Sequence, residues 1–166
     1  RSLSKVSDGS ELTDMEKGVS IIQDAIAAGK HIRIIGDYDV DGVTSTYILY
    51  KGLIGLHAKC DKFIPHRIKD GYGLHENAIR RAREDGVEVI LTCDNGIAAA
   101  DAVSLAKEFG MTVVVTDHHE VPFVQEPDGR RYILPAADAV IDPKRPEDHV
   151  FKEICGAVVA WKFMGR

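Results

Sequence analysis

The chain has few cysteines and no long apolar run, and both shortages exclude classes of protein. Its 166 residues include only 3 cysteines, far apart in the sequence, which fits neither a disulfide framework nor a zinc-binding knuckle. We therefore expect a reducing compartment, the cytoplasm. No segment reaches the roughly 18 apolar residues of a membrane span, and no signal peptide is visible, so we expect no membrane contact. The cysteines are Cys60, Cys93 and Cys155, and for the last two we expect roles as small core residues.

Basic residues are also in short supply. Lys and Arg number 21 against 26 Asp and Glu, which gives a net charge of −5 with neutral histidines. This balance argues against a protein that binds polyanions over its whole surface, although a local basic strip or a bound cation could reverse the field where it matters. The chain begins with Arg and ends at KFMGR, and we expect it to be a piece of a larger protein.

The pattern of apolar residues predicts an α/β fold. Short, continuous apolar runs alternate with helical segments, which is typical of a parallel sheet covered on both faces. We predict about five parallel strands with helices on both faces, in one domain over residues 13–166 that follows a flexible segment, residues 1–12. Strands are expected within residues 31–36, 59–65, 87–93, 111–116 and 137–142, and helices within residues 13–30, 43–55, 75–86, 97–110 and 151–164.

Two local predictions can be checked directly. Thr13 and Glu16 have the spacing of a capping box at the start of the first helix. The stretch from Glu120 to Asp138 carries three prolines and reads as one long irregular loop. Because such loops are uncommon in compact domains, we expect this one to be functional or to face a partner.

Acidic and imidazole side chains follow four of the predicted strands. The carboxyl ends of parallel strands meet at one edge of a sheet, where the ligand crevice of such folds lies. We therefore expect these groups to converge on one site. They are Asp37, Asp39 and Asp41 in GDYDVDG, Asp94 in CDNG, Asp117, His118 and His119 in DHH, and Asp142 in IDPK.

The composition of this group favours a metal centre. Asp37, Asp39 and Asp41 would project to the same side if the chain stays extended, and Gly42 would then turn it into the next helix. Oxygen ligands with one or two imidazoles suit Mn²⁺ or Mg²⁺ better than structural zinc. The carboxylates exceed what one ion needs, and a pair of ions about 3.5–4 Å apart would use them all. Such a pair is the usual apparatus for hydrolysing phosphate esters.

Simpler explanations exist for each motif taken alone. Asp-Gly and Asn-Gly are common turn sequences, a His-His pair can be solvated, and Asp142 before Pro143 can be a plain turn former. The shared position at strand ends favours the metal site over all of them.

At this point the motifs resemble a known family. GDYDVDGVTS, CDNG and TDHH, in this order, are similar to the first three motifs of the DHH phosphoesterase superfamily, and within it to the RecJ-type single-stranded-DNA-specific exonucleases. IPHRIKDGYGL and IDPKRP, with the glycine-bearing helix after it, resemble further segments of that group. The similarity runs from about residue 12 to residue 163.

The resemblance implies roles for most of the site. Asp39, Asp41, Asp94 and His118 match metal ligands, with Asp94 the bridge between two ions and therefore a catalytic residue. His119 matches the catalytic histidine that contacts the scissile phosphate, and Asp117 and Asn95 would hold the metal ligands in position without binding the ions themselves. The small-substrate branch has a histidine where this chain has Ile35, which points to the RecJ branch. This leaves Asp37 as a candidate for completing the first ion's ligands.

The resemblance also implies a substrate and a mechanism. It indicates a two-metal, in-line attack on the terminal phosphodiester of single-stranded DNA, 5′ to 3′, in repair and recombination, with Arg67, Tyr72 and His119 binding the strand. It implies a further aspartate ligand, a closing C-terminal domain and an OB-fold beyond this chain, and a single-strand-binding protein as a candidate partner. Other candidates for phosphate contact are His66, Lys69, Lys144 and Arg145, whereas Arg80, Arg81 and Arg83 read as a solvated helix face.

Two other classes stay open. One is a phosphoesterase of the same superfamily that acts on oligonucleotides or cyclic dinucleotides. The other is a DHH domain that binds nucleic acid without catalysis, against which the full set of carboxylates argues.

Overall fold

The computed structural model describes residues 11–66 and 73–165. Five parallel strands form the main sheet, in the order β2-β1-β3-β4-β7, and two more form an antiparallel hairpin. The predicted α/β fold is confirmed. The strands are β1 (Ile32–Ile35), β2 (Cys60–Phe63), β3 (Val89–Thr92), β4 (Thr112–Thr116), β5 (Phe123–Glu126), β6 (Gly129–Tyr132) and β7 (Ala139–Ile141), and the helices are α1 (Met15–Ala27), α2 (Val40–Gly55), α3 (Glu76–Glu84), α4 (Ala100–Glu108) and α5 (Gly156–Met164).

The sheet separates two hydrophobic clusters. Helices α1, α2 and α5 cover one face, where Leu49 and Phe163 pack with Ile34. Helices α3 and α4 cover the other face, where Ile79 and Val103 pack with Ile35. Neighbouring residues of β1 thus enter opposite clusters, which is why three of its four residues are isoleucine; the fourth, Arg33, is buried and pairs with Asp61.

The predicted capping box at Thr13 is wrong. Thr13 donates from its backbone N and its Oγ1 to Asp148 Oδ1, at 3.0 and 2.7 Å. Asp14 occupies the N-cap with φ 64° and makes no side-chain cap. Its Oδ2 instead accepts from Val140 N and Arg145 Nη1. The side chains of Thr13 and Asp14 therefore bond to residues far along the chain and do not cap the helix.

Leu12, near the start of the described residues, packs in the core. Residues 1–10 of the predicted flexible segment lie outside the described residues. Leu12, which the prediction placed in that segment, is 3% exposed and belongs to the cluster on the α1 face. Leu12 therefore contributes to the core, because burial of its apolar surface stabilises the fold.

The predicted irregular loop after His119 contains the hairpin of β5 and β6. Phe123 pairs with Tyr132 and Glu126 with Gly129 in an antiparallel ladder. The turn chemistry of EPDG, with Gly129 at φ 131°, joins the two strands. The prolines therefore flank and turn a hairpin.

Two details at the end of the chain also differ from prediction. The last helix starts at Gly156 and not near residue 151, since Phe151 has φ 59° and interrupts the helical backbone. Cys93 is buried as predicted, but Cys155 is exposed at the N-cap of α5. All three cysteines are free. In the described part of the chain, no helix is both long and apolar enough to cross a membrane.

Candidate metal centre

The turn from β1 into α2 places two aspartates beside each other. Asp37 is fully buried, and its Oδ1 accepts from Tyr38 N at 2.7 Å. Asp39 is exposed and is the N-cap of α2, where its Oδ1 accepts from Gly42 N at 2.8 Å. One oxygen of each carboxylate thus shapes the turn. The Oδ2 of Asp37 is buried and finds no hydrogen-bond donor among the described residues.

Asp41 does not share the extended run that the sequence predicted. The helix already starts at Val40, so Asp41 lies in its first turn and faces a different neighbour. Its two oxygens accept from Gly156 N at 2.7 Å and Ala157 N at 2.8 Å, the first amides of α5. Burial raises the pKa of Asp41, but the two amides outweigh it and hold the pKa below its ordinary value.

Asp94 is the most central acid. It follows β3 with a left-handed backbone, φ 58°, is 1% exposed, and its Oδ2 has no hydrogen-bond partner among the described residues. His118 Nε2 lies 2.8 Å from its Oδ1 and 3.2 Å from Asp41 Oδ2. Burial, opposed by His118 and reinforced by the charges of Asp41 and Asp39, raises the pKa of Asp94 to about 6.

The residues after β4 form the opposite wall. Asp117 is 1% exposed, and its Oδ1 accepts from the backbone of both His118 and His119 and lies 2.6 Å from His119 Nδ1. Its Oδ2 accepts from Ile97 N. The hydrogen bond to Asp117 raises the pKa of His119 to about 9. Asp117 therefore fixes the loop and the ring of His119 together.

Asp142 joins the same edge from β7. It is fully buried, accepts from Lys144 N at 2.8 Å through Oδ1, and keeps an Oδ2 without a donor among the described residues. Burial raises its pKa to about 7, and the charge of Asp117 adds to this. The simple turn reading of Asp142 does not account for this burial.

Two sets of side chains could each hold an ion, and they share one residue. Ligand atoms of Asp37, Asp39 and Asp94 lie within 4.8 Å of one another, and so do those of Asp94, Asp117, His118 and His119. Among the buried carboxylate oxygens without a donor in the described residues, those of Asp37 and Asp94 belong to these two sets, and a divalent cation would satisfy them. Asp142 and Asp148 also carry such an oxygen but belong to neither set. The donor set therefore fits a pair of hard cations that share Asp94.

Close packing of glycines shapes this centre. A Cβ on Gly156 would lie 2.7 Å from Asp94 Oδ1, and one on Gly42 would lie 2.5 Å from the carbonyl oxygen of Asp37. Gly42 thus permits a close approach inside α2 and does not make the turn we predicted. The contribution of Gly156 and Ala157 was missed, and a glycine opening the last helix was the only sequence signal for it.

Asn95 lies beside the centre but bonds to backbone. Its Nδ2 donates to the carbonyl oxygens of Ile35 and Cys93, and its Oδ1 accepts from Leu74 N. Asn95 therefore connects the ends of two strands with the segment before α3. If it orients the metal ligands, as we predicted, it does so by holding the backbone that carries them. A cavity of about 250 Å³ adjoins it, lined by Leu74, Asn95, Gly96, Ile97, His119 and Glu120 among others.

The predicted substrate contacts have mixed outcomes. Arg67, Lys69 and Tyr72 lie outside the described residues. Lys144 pairs with Glu120 at 3.0 Å and lines a cavity with His118. Arg145 is 8% exposed and is held by Asp14 and Glu147, which excludes the phosphate contact we expected of it. The arginines of α3 lie on the helix surface, with Arg80 near Glu76, Arg81 over Phe63 and Arg83 over Phe109.

Comparison with known proteins agrees with the motifs. A family model described as the DHH family, N-terminal domain, matches residues 31–166. The single-stranded-DNA-specific exonuclease RecJ of Bacillus subtilis is 42% identical over 156 residues, covering 93% of this chain and 19% of the relative. The Escherichia coli protein of the same name is 36% identical over 156 residues, covering 93% and 26%. The chain thus spans about a fifth to a quarter of the length of these curated relatives.

Solved structures give the same result. An exonuclease RecJ bound to manganese superimposes with a TM-score of 0.78 at 33% identity, over 92% of this chain and 37% of that chain. RecJ of Thermus thermophilus in complex with Mn²⁺ has a TM-score of 0.70 at 30% identity, over 92% of this chain and 20% of that chain.

Proposed function

Because the chain belongs to the DHH family, we propose that this sheet edge is the two-metal site of a phosphodiesterase that degrades single-stranded DNA from the 5′ end, in repair and recombination. The observation that carries the proposal is the set of buried carboxylates whose outer oxygens have no donor among the described residues. The RecJ relatives, which are named for single-stranded-DNA-specific exonuclease activity, support the substrate class.

The cofactor would be Mn²⁺ or Mg²⁺, as in the solved RecJ structures in complex with these ions. Asp37, Asp39 and Asp94 would hold one ion, and Asp94 with His118 the other. Asp41 would complete the second set through its contact with His118. When bound, such a pair polarises a phosphate and lowers the pKa of its water to near neutrality.

The protein's own groups would orient the phosphate. His119 is 41% exposed beside the ligands, and in the metal-free chain its hydrogen bond to Asp117 raises its pKa to about 9 and so favours the protonated ring. A protonated imidazole can donate to a phosphate oxygen and stabilise the charge that develops there. Asp117 holds that ring in place through its hydrogen bond to Nδ1. The amides of Gly156 and Ala157 keep Asp41 ionised and ready to bind a cation.

Hydrolysis tests the proposal directly. The chain, and a longer protein that contains it, would be incubated with 5′-labelled single-stranded DNA and Mn²⁺. We expect release of mononucleotides from the 5′ end, and loss of that release in Asp94→Asn but not in Asp61→Asn, which alters a carboxylate at the other end of the sheet. Equal activity of the Asp94 variant would contradict the assignment of the bridging ligand.

The same assay separates the other classes. Faster cleavage of a dinucleotide than of a long strand would favour the small-substrate branch, and DNA binding without any cleavage would favour a non-catalytic domain. The domain division at residues 12 and 13, the further aspartate, the closing domain and OB-fold, a single-strand-binding partner and the cytoplasm remain predictions. The relatives' greater length is in keeping with further domains.

A further inference from the structure

The hairpin of β5 and β6 is exposed along its whole length. Every residue of both strands is solvent-exposed, and neither Phe123 nor Tyr132 belongs to a hydrophobic cluster. These two aromatic side chains are 44% and 38% exposed. A two-stranded ribbon exposed on both sides is marginally stable in water by itself, so such a ribbon is usually completed by a partner.

One face of the hairpin is aromatic and cationic. Phe123 and Tyr132 are cross-strand partners with ring centroids 6.1 Å apart, and Gln125 faces Arg130 on the same side. The guanidinium of Arg130 lies 4.3 Å from the centre of the Phe123 ring. Among the residues that the structure describes, no carboxylate forms an ion pair with Arg130.

The opposite face is different in character. It carries Val124, Glu126 and Arg131, and the charges cancel because Arg131 Nε lies 2.7 Å from Glu126 Oε1. Of the two faces, the aromatic one therefore presents the positive charge that has no counter-ion within the described residues. We call this face, formed by Phe123, Gln125, Arg130 and Tyr132, the aromatic face of the hairpin.

The hairpin follows the metal centre closely along the chain. Pro122 O accepts from Ile133 N at 2.7 Å and closes the base of the hairpin, and Val121 beneath it is 3% exposed. Phe123 is four residues after His119. Since an extended chain spans at most about 3.6 Å per residue, the two Cα atoms lie within about 15 Å of each other. A strand whose terminal phosphate reaches His119 could therefore extend to the aromatic face.

We propose that the aromatic face of the hairpin is a stacking platform for unpaired bases of a single-stranded nucleic acid whose end lies in the metal centre. Exposed rings with an adjacent arginine are the elements that bind single strands without regard to sequence, the rings by stacking and the guanidinium by charge and cation–π contact. The free positive charge favours a polyanion over an apolar protein surface. This inference rests on the proposed function, because it takes the strand's end to be bound at the centre.

The test measures binding without cleavage. Fluorescence anisotropy of a labelled oligothymidylate of about 16 nucleotides would be followed with Ca²⁺ in place of Mn²⁺, since Ca²⁺ also takes oxygen ligands, for the unaltered chain and for the double variant Phe123→Leu, Tyr132→Leu. Leucine keeps an apolar side chain but removes the ring. We expect the affinity to fall about tenfold, and circular dichroism to show an unchanged melting temperature.

Two matched comparisons isolate stacking and charge. An abasic oligomer of equal length should bind the chain and the leucine variant equally, since it has a backbone but no bases. Arg130→Gln should weaken binding several-fold and reduce the slope of log K against log salt by about 1. Arg131→Gln removes the same charge from the opposite face, and because that charge is already paired we expect a smaller effect.

Each outcome decides the proposal. Equal affinity of the leucine variant and the unaltered chain for oligothymidylate, or the same loss for the abasic oligomer, would overturn it. A change in sedimentation of the leucine variant with unchanged DNA affinity would instead assign the face to a protein contact, and would also overturn it. Hydrolysis of a dinucleotide with Mn²⁺ is measured in parallel, so failure of the hairpin proposal is distinguishable from failure of the metal site.

Discussion

The two ends of the main sheet treat their acidic side chains in opposite ways. At the amino end, Asp61 forms a salt bridge with Arg33 at 2.8 Å, and Asp138 forms one with Lys107 at 2.8 Å. Burial raises the pKa of both acids, but these cations and their hydrogen bonds outweigh it, so each pKa lies below its ordinary value. The acids at this end are neutralised within the chain and stabilise the fold.

At the carboxyl end the acids outnumber the cations. Asp94 and Asp142 are buried, their pKa values rise to about 6 and about 7, and each keeps an oxygen without a donor among the described residues. Unpaired buried charge costs free energy, and perturbed carboxylates of this kind concentrate at functional sites. The carboxyl end is therefore arranged for an added cation, whereas the acids of the amino end already have their cations within the chain.

The largest expected effect is on metal affinity. Asp94→Asn removes the ligand that both candidate ion sets share. Calorimetric titration should therefore show Mn²⁺ affinity lower by more than about 100-fold. This exceeds the loss expected when a residue that only hydrogen-bonds to a metal ligand is replaced. Asp61→Asn at the amino end should leave the affinity unchanged. A similar loss of Mn²⁺ affinity in both variants would contradict the assignment of the ion sites to the carboxyl end.

A backbone change should have the next largest effect. The added Cβ of Gly156→Ala would lie 2.7 Å from Asp94 Oδ1, so the start of α5 must shift away from Asp41. We expect about tenfold weaker Mn²⁺ binding in the same titration. Gly55→Ala is the control, because nothing lies within 4 Å of its added Cβ, and should keep full affinity. Unchanged binding by the Gly156 variant would mean that the amide contacts do not position Asp41.

Stability without metal should respond with opposite signs at the two ends. Near neutral pH, Asp94→Asn removes a buried charge whose pKa is raised to about 6, and should increase the free energy of unfolding by about 2 kcal/mol. Asp61→Asn leaves Arg33 less well paired and should decrease it by about 1 to 2 kcal/mol. Urea denaturation in EDTA measures both. A decrease in both variants would indicate that Asp94 stabilises the metal-free fold.

The dependence of stability on pH follows from the same shifts. Asp94 and Asp142 bind a proton more tightly in the folded chain, so the metal-free protein should lose stability as pH rises from about 4 through about 6 and about 7. The lowered pKa of Asp61 acts the other way, and its contribution is lost only as pH falls below its ordinary value of 3.8. The melting temperature in EDTA should therefore decline between about pH 5 and about pH 7. Excess Mn²⁺ should remove the decline, and a metal-free melting temperature that rises over this range would contradict the assignment.

The smallest effect concerns one imidazole. Asp117→Asn removes the partner that raises the pKa of His119 to about 9, and NMR titration should find that pKa moved down toward its ordinary value of 6.5. Asp61→Asn, which alters an acid at the amino end of the sheet, is the control and should leave the pKa of His119 at about 9. A His119 pKa that stays near 9 would mean that another group holds the proton.

Much of the fold was predictable, because the central parallel strands are buried on both faces and so are apolar almost throughout. The convergence of the candidate ligands was predictable too, since parallel strands bring their carboxyl ends to one edge. Other features depend on contacts between distant residues. Asp41 leaves the line of Asp37 and Asp39 because α2 starts at Val40 and α5 supplies two amides to its carboxylate. Thr13 leaves its helix for Asp148, 135 positions away. A local sequence pattern does not indicate such partners, because they lie far away along the chain.

Anomalous scattering from manganese in a crystal of this chain would test the central claim most directly. We expect two peaks at the carboxyl end of the sheet, both within ligand distance of Asp94, with Asp37 and Asp39 on one side and His118 on the other. Peaks elsewhere, such as beside Asp61 and Asp85, or one peak that does not touch Asp94, would contradict it.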